Sequence, residues 1–303
     1  ILKKTTLINH FILKKKIDLL YVPSAINFVK KTNIVVMNQT LLPFRFDQII
    51  RYFPNFFFFK LLLIRYLQLS SFRNSNGVIF LNNYGKRVIS QLTKIKNSTI
   101  IPLGINEDKF KFLTKNINHR APNQQIKIIY ISEVTNYKNH YDIISQLKNS
   151  NINFIMYFVG KVYTPYYKKL KKLNFSFKKF IFTGNLDPSQ VIRLLKDSDL
   201  FLFASSVENF PVSVLEGLVS NKPLLTTRDE PVKSIIGKRG LFFSLQKPGD
   251  LELKINKAIT KFKKKKNTAV TNDLINYDKI TQDTFKYFTS IFNKAKWILL
   301  ELM

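Results

Sequence analysis

Two carboxylates, Glu208 and Glu216, share the stretch Ser205-Ser206-Val207-Glu208-Asn209-Phe210-Pro211-Val212-Ser213-Val214-Leu215-Glu216-Gly217. The apolar run Leu200 to Ala204 before it reads as a buried strand, and a helix is expected from Val212 to about Ser220. Asn209 can cap that helix, and Pro211 suits its first turn, where a missing N–H is harmless. Such a turn aims backbone N–H groups and the positive end of a helix dipole at one spot, an anion site with Glu208 beside it. Glu216 falls further along, on the same side as Val212 and Ser213. A purely structural alternative exists, because Ser213-x-x-Glu216 also fits a capping box.

Around this stretch short apolar runs alternate with helical segments. Strands are expected at Ile126–Ser132, Asn153–Val159, Phe180–Phe182, Leu200–Ala204, Leu224–Thr227 and Leu241–Phe243. Helices are expected at Asn139–Lys148, Pro165–Leu173, Pro188–Lys196, Val212–Ser220, Pro231–Ile236 and from about Pro248. That alternation predicts a parallel sheet covered on both faces, a doubly wound domain. Ligands of such sheets bind outside the carboxyl ends of the strands. Those ends supply Glu133 to Lys138, Gly160, Gly184-Asn185, Ser206 to Asn209 and Arg228-Asp229-Glu230. A cation, glycines and a helix N-terminus suit phosphates, and carboxylates suit sugar and ribose hydroxyls, so a nucleotide-sugar fits. The alternative for Lys138 is an ordinary surface lysine, and Arg228 and Glu230 read as surface charges. Asp197-Ser198-Asp199 precedes a strand and reads as a helix-to-strand turn rather than a metal motif. His140 reads as incidental.

Upstream, residues 1–16 look helical, and strands are expected at Ile17–Pro23, Asn33–Met37, Val78–Leu81 and Ser98–Pro102. Helical patterning covers Phe46–Ser71, and Asn82-Asn83-Tyr84-Gly85 opens another helix. Residues 111–125 form a polar linker. Lys263-Lys264-Lys265-Lys266 reads as a solvated loop. Thr281–Leu302 is expected to be helical, with Phe285, Phe288, Ile291 and Phe292 on a docking face.

Composition narrows the function further. The chain has 303 residues, 49 Lys and Arg against 19 Asp and Glu, and no cysteine. Disulfides and thiolate metal sites are excluded, and a reducing compartment suits the chain. The charge suggests an anionic membrane surface or nucleic acid, with general compositional bias as the alternative. No helix-turn-helix, zinc knuckle or RNP-type strand supports nucleic acid. No signal peptide is visible, and Lys60 and Arg65 interrupt the most apolar segments, Phe56–Phe59 and Leu61–Ile64. The chain begins at Ile1, which hints at a fragment.

The segment Ala204 to Leu224 resembles the Glu-x7-Glu signature of the family 4 retaining glycosyltransferases, which runs Pro-Ser-x-x-Glu-Gly-Phe-(Gly/Pro)-x-x-x-Leu-Glu-Ala-Met-Ala-x-Gly-Lys-Pro-Val. Asn38 to Phe44, Asn76 to Tyr84 and Ile101 to Phe110 are similar, in the same order, to further landmarks of that family. The resemblance implies a GT-B-like α/β fold, two Rossmann-like doubly wound domains facing across a cleft. It divides the chain into an acceptor-side domain (1–110), a nucleotide-sugar domain (111–280) and a C-terminal helix (281–303) packing back on the first. The family's opening strand and glycine-rich loop have no counterpart, since none of the nine glycines precedes Gly77. The first domain is therefore expected to be truncated or degenerate.

By the same resemblance Lys138 neutralises the donor diphosphate, Glu216 binds the ribose hydroxyls and Glu208 lies near the donor sugar. Glu208 and Lys138 are thus the catalytic candidates. Asn209, Phe210, Pro211 and Val212 line the sugar, Gly184 and Asn185 lie near the base, and Asn38 lies on the acceptor side. An arginine often precedes the lysine loop in the family; Glu133 holds that place here. No metal or other cofactor is implied. The implied reaction moves a sugar with retention from a nucleotide-diphosphate donor to a saccharide or lipid-linked acceptor. The implied setting is bacterial surface polysaccharide or glycolipid synthesis, in the cytoplasm or on the inner face of its membrane. A competing reading is a non-catalytic basic protein that holds an anionic membrane or polymer.

Overall fold

The structure is a computed structural model that describes residues 2–29, 32–105, 125–220, 222–262, 277–291 and 297–299. Its elements run α1 (Leu2–Lys15), β1 (Leu19–Val22), β2 (Asn33–Asn38), α2 (Phe46–Ile49), α3 (Phe56–Asn74), β3 (Gly77–Phe80), α4 (Asn83–Ser90) and β4 (Ser98–Ile100). There follow β5 (Ile126–Ile131), α5 (His140–Leu147), β6 (Phe154–Val159), α6 (Thr164–Lys171), β7 (Phe180–Gly184), α7 (Pro188–Asp197), β8 (Leu200–Phe203) and α8 (Val212–Val219). The chain continues with β9 (Leu224–Thr226), α9 (Glu230–Ile236), β10 (Gly240–Phe242), α10 (Asp250–Phe262), α11 (Tyr277–Ile291) and β11 (Trp297–Leu299).

Two compact units result. One comprises Ile1–Gly104, Glu208–Phe210 and Asn276–Met303, the other Ile105–Val207 and Pro211–Ile275. The first unit holds a parallel sheet in the order β11-β1-β2-β3-β4, the second a parallel sheet in the order β10-β9-β8-β5-β6-β7. Both are Rossmann-like α/β layers, as expected. Strands β3 and β8 are buried at every position, which is why their sequences are unbroken apolar runs.

Two helical expectations are corrected. Phe46–Ser71 is not one helix, because Pro54 has no N–H to donate and divides it into α2, a 3-10 turn at Ile50–Tyr52 and α3. Thr281–Leu302 is not one helix either. α11 ends at Ile291, and Trp297 to Leu299 pair with Leu19 to Tyr21 of β1. Pairing covers backbone groups that an open sheet edge would leave exposed. On its inner side α11 sets Phe288 against Tyr21, with ring centroids 5.3 Å apart. Phe292, Asn106 to Phe110 and Lys263 to Lys266 lie outside the described residues.

α8 reaches the sheet at Gly217. A Cβ there would stand 2.7 Å from Phe201 Cδ1 and 2.8 Å from its Cγ. Close approach of helix to strand therefore depends on glycine, and it sets the height of the whole helix above the sheet. Gly217→Ala gains about 1 kcal/mol of helix propensity but overpacks the Phe201 ring, costing roughly 1–3 kcal/mol. We expect net destabilisation in urea denaturation, partly reversed by Phe201→Leu in the same chain. A Gly217→Ala protein as stable as wild type would contradict this account of the packing.

Candidate active site

In the second sheet the strand order reverses between β5 and β8. Loops leaving two neighbouring strands in opposite directions open a crevice there, the place where doubly wound sheets bind ligands. The β5 loop carries Lys138, and the β8 loop leads through Ser205 and Ser206 into α8. One side chain joins them. Asn139 donates from Nδ2 to the Ala204 carbonyl at 2.6 Å and to Ser206 Oγ at 2.6 Å. The Ser206 amide donates back to the Tyr137 carbonyl at 2.8 Å. Thr227, after β9, extends the lacing by donating to the Ser205 carbonyl at 2.9 Å. Asn139 has φ +55°, a left-handed conformation that asparagine tolerates better than most residues.

Lys138 is half-buried at the end of a 3-10 turn. Its ammonium lies over the rings of Tyr137 and Phe203, at 5.0 and 5.4 Å from their centroids. The Tyr130 hydroxyl donates to its carbonyl at 2.9 Å. The cation is thus held at the crevice by its backbone and by two aromatic faces. His140, two residues on, is a core residue. It is fully buried, stacked on Tyr130 at 5.0 Å and edge-on to Phe158 at 4.9 Å. Burial, and then the Lys138 charge, push its pKa down to about 3, opposed weakly by the Thr135 backbone. The ring is neutral at physiological pH.

Glu216 sits in the second turn of α8. Burial lifts its carboxyl pKa to about 7. Among the described residues, no group hydrogen-bonds this carboxylate. The helix begins differently from expectation. Its N-cap is Pro211, with no side-chain cap, so neither an Asn209 cap nor a Ser213-x-x-Glu216 capping box forms. The amides of Val212 and Ser213 lie in the first turn, where no helical carbonyl stands four residues back to receive them.

Elsewhere on this edge, Gly160 (φ +144°) passes so close to the β5 loop that a Cβ would stand 2.4 Å from the Ser132 carbonyl oxygen. Its amide donates to the Gly184 carbonyl at 3.0 Å. Gly184 (φ +70°) ends β7, and a Cβ there would meet nothing within 4 Å. Asn185 is exposed beside it. Glu133 is exposed and accepts from the Tyr163 hydroxyl at 3.4 Å. Arg228 covers the Phe242 ring at 5.4 Å. Asp199 lies at the opposite edge, where it accepts from the Lys127 amide at 2.7 Å, as a helix-to-strand turn requires. Among the described residues no group of three or more His, Asp or Glu is placed to hold a metal ion.

Glu208, Asn209 and Phe210 group with the first unit. Glu208 is half-buried and Phe210 buried. The Asn209 side chain donates to the Asn38 carbonyl at 2.6 Å and to Asn38 Oδ1 at 3.0 Å. Asn82 in turn donates to the Asn209 carbonyl and caps α4, accepting from the Gly85 amide at 2.6 Å. Asn38 is fully buried and spends its own amide on the Thr40 carbonyl. Asn209 Oδ1, the atom a cap on α8 would use, accepts instead from Asn82 Nδ2 at 3.3 Å.

Of the organising residues, Ser206 lies in a strand-end loop singled out from the sequence, whereas Asn139 and Asn82 were not among the site candidates. Only the position of Asn139 and Asn82 at the start of helical patterns offered a signal.

Residues 112–272, more than half of the chain, match the family described as glycosyl transferases group 1. Over 287 residues the chain is 24% identical to N,N'-diacetylbacillosaminyl-diphospho-undecaprenol alpha-1,3-N-acetylgalactosaminyltransferase of Campylobacter jejuni subsp. jejuni serotype O:2, covering 87% of this chain and 74% of that protein. Among solved structures, a glycosyltransferase from Rickettsia africae aligns with a TM-score of 0.69 at 15% identity, covering 97% of this chain and 82% of its own. Sucrose-phosphate synthase from Thermosynechococcus elongatus gives 0.74 at 13% identity over 96% and 78%. Anabaena HepE in complex with UDP and glucose gives 0.65 at 16% over 86% and 72%. These structures establish the GT-B fold, and the sequence match establishes the family: the chain belongs to the glycosyl transferases group 1 and is a glycosyltransferase.

Proposed function

We propose that this glycosyltransferase takes its sugar from a nucleotide-diphosphate donor and passes it, with retention, to a saccharide or lipid-linked acceptor. The observation that carries the reading is the crevice between β5 and β8. Lys138 stands on one side of it and the first turn of α8 on the other, with Glu216 behind. A diphosphate leaving from the anomeric carbon gains negative charge in the transition state. Fixed positive groups aimed at that charge lower the barrier more than they tighten ground-state binding. Lys138 and the amides of Val212 and Ser213 take that role, the chain itself supplies the positive charge, and no metal takes part. Glu216 accepts from the ribose hydroxyls, Gly184 and Asn185 lie at the base, and Glu208, Asn209, Phe210 and Pro211 lie at the donor sugar. The acceptor hydroxyl attacks the face the diphosphate leaves, and Asn38 belongs to the acceptor side. The Campylobacter relative is named for a diphospho-undecaprenol-linked sugar, which supports a lipid-linked acceptor in surface glycan assembly on the inner face of the cytoplasmic membrane.

Calorimetry with a panel of UDP- and GDP-sugars tests the donor site. We expect selective binding to wild type and at least a tenfold loss in Glu216→Ala, on the scale of about 1.5–3 kcal/mol for hydrogen bonds to a charged group. A folded wild type that binds none of them would sink the reading. For Lys138→Ala we expect kcat to fall by roughly 100-fold or more, as when a single preorganised transition-state donor is removed.

The half-buried Glu216 makes a second, pH-resolved prediction. Hydroxyls donated to the carboxylate favour its charged form, so donor binding expels a proton. With a free-protein pKa of about 7, donor affinity rises about tenfold from roughly pH 6 to pH 8 and flattens above. Glu216→Gln abolishes that slope. In the unliganded protein the sign reverses. The folded pKa exceeds the unfolded value, so the stability linked to this group is complete below about pH 4.5 and is lost as pH rises through about 7. Thermal denaturation at about pH 8 should therefore find Glu216→Gln more stable by up to about 3 kcal/mol, with the difference vanishing near pH 4.5. A parallel pH dependence in both proteins would refute the assignment.

A further inference from the structure

The strongest unexplained feature of the first unit is its exposed apolar surface. Phe56 is 83% exposed, Tyr66 70%, Phe53 59%, Phe46 57%, Leu63 57%, Phe59 54% and Ile50 47%. All lie within one 21-residue segment, 46–66. Phe56, Phe59, Leu63 and Tyr66 recur at three- and four-residue spacing along one face of α3. Phe53 and Phe59 both pack edge-on against the buried Phe58, at 5.4 and 5.2 Å. Isolated exposed hydrophobes need no explanation, but a contiguous aromatic patch does.

We infer that this patch is a membrane-docking surface for an anionic bilayer, with α3 lying in the headgroup plane. Two observations select that occupant over a protein. Lys60 is exposed in the middle of the aromatic stripe. The cores of protein interfaces are depleted of lysine, whereas interfacial helices carry it among their aromatics, the ammonium reaching back to the headgroups. The charge of the chain segment that carries the patch is also largely of one sign. Residues 1–104 contain sixteen Lys and Arg against two carboxylates, Asp18 and Asp47. Asp47, the carboxylate inside the patch, is neutralised by Arg45 at 2.8 Å. Such a surface adds electrostatic attraction to apolar burial on anionic lipid. Among the described residues no helix is long and apolar enough to cross a membrane, so α3 lies on the bilayer rather than through it. The inference uses none of the donor-site residues and stands independently of them.

The test is co-sedimentation of the full chain with vesicles of phosphatidylcholine alone, or of equal parts phosphatidylcholine and phosphatidylglycerol, at low and high salt. Wild type is compared with the triple variant Phe56→Ser, Phe59→Ser, Leu63→Ser and with Lys60→Glu. All three positions of the triple variant are exposed, so it should fold, and an unchanged circular dichroism spectrum and Tm would show that it has. We expect wild type to bind phosphatidylglycerol vesicles, the triple variant to bind at least about tenfold more weakly, and Lys60→Glu to lose anionic preference. Binding that salt abolishes and the triple variant retains would assign it to charge alone and overturn the patch. Concentration-dependent self-association, lost in the triple variant without vesicle binding, would make a second copy of the chain the occupant and overturn the bilayer. No binding to either vesicle would overturn the inference outright, leaving the donor-site reading untouched.

Discussion

The crevice of the second unit depends on one amide. Asn139 Nδ2 makes two 2.6 Å bonds to the loop that follows β8, from a residue in the left-handed region. Parallel sheets leave their carboxyl-end loops unpaired by default, and at the switch point adjacent loops diverge. Without a cross-link, Lys138 and the α8 N-terminus would belong to two independent loops. The buried amide makes them one structure. A buried side-chain donor that loses its acceptors carries the full cost of desolvation, roughly 1–3 kcal/mol, so the two loops hold each other in register.

Aromatic contact and burial both act on the charged groups of this crevice. Lys138 lies against aromatic faces, and desolvation lifts the Glu216 carboxyl to about 7. An incoming anion meets a cation backed by rings and helix amides of the same effective sign. Glu133, in the place where the family often has arginine, is exposed beside Tyr163. In high dielectric its repulsion of a diphosphate is weak, on the order of 1 kcal/mol at contact distance. It therefore does not cancel the attraction of the less hydrated Lys138.

Much of this was legible in the sequence, for specific reasons. Buried parallel strands such as Leu200–Phe203 must be unbroken apolar runs, and helices between them announce themselves by period, so the order of elements in the second unit follows from pattern. Lys138 falls in one of the loops at the carboxyl ends of those strands, where ligands bind, whereas the role given to Glu216 comes from the resemblance of its motif. What pattern could not give was the use of polar side chains over long sequence distances. Asn139 bonds to a residue 67 positions away, and nothing in its neighbours specifies that. Trp297–Leu299 carries the same apolar letters as a helix end, and only the open edge of β1 decides that it is a strand. Pro54 breaks a run whose pattern is otherwise helical, and Pro211 holds the cap position that the pattern offers to Asn209.

The displacement of Asn209 from capping has a cause that also explains Gly85. A cap on α8 would need Asn209 Oδ1, and that oxygen instead accepts from Asn82 Nδ2 at 3.3 Å while Nδ2 donates to the fully buried Asn38. An unmet acceptor at Asn38 would be costly away from water. Asn209 Oδ1 then points at α4, where a Cβ on residue 85 would stand 2.7 Å from it. Glycine at 85 leaves room for that oxygen and at the same time gives its own amide to Asn82, whose side chain donates to the Asn209 carbonyl. Asn38, Asn82, Asn209 and Gly85 thus form a single closed arrangement in which each residue type is required by the others, and it fixes the backbone on the carboxyl side of Glu208. The backbone beside Glu208 is therefore held by hydrogen bonds that its neighbour makes within the first unit.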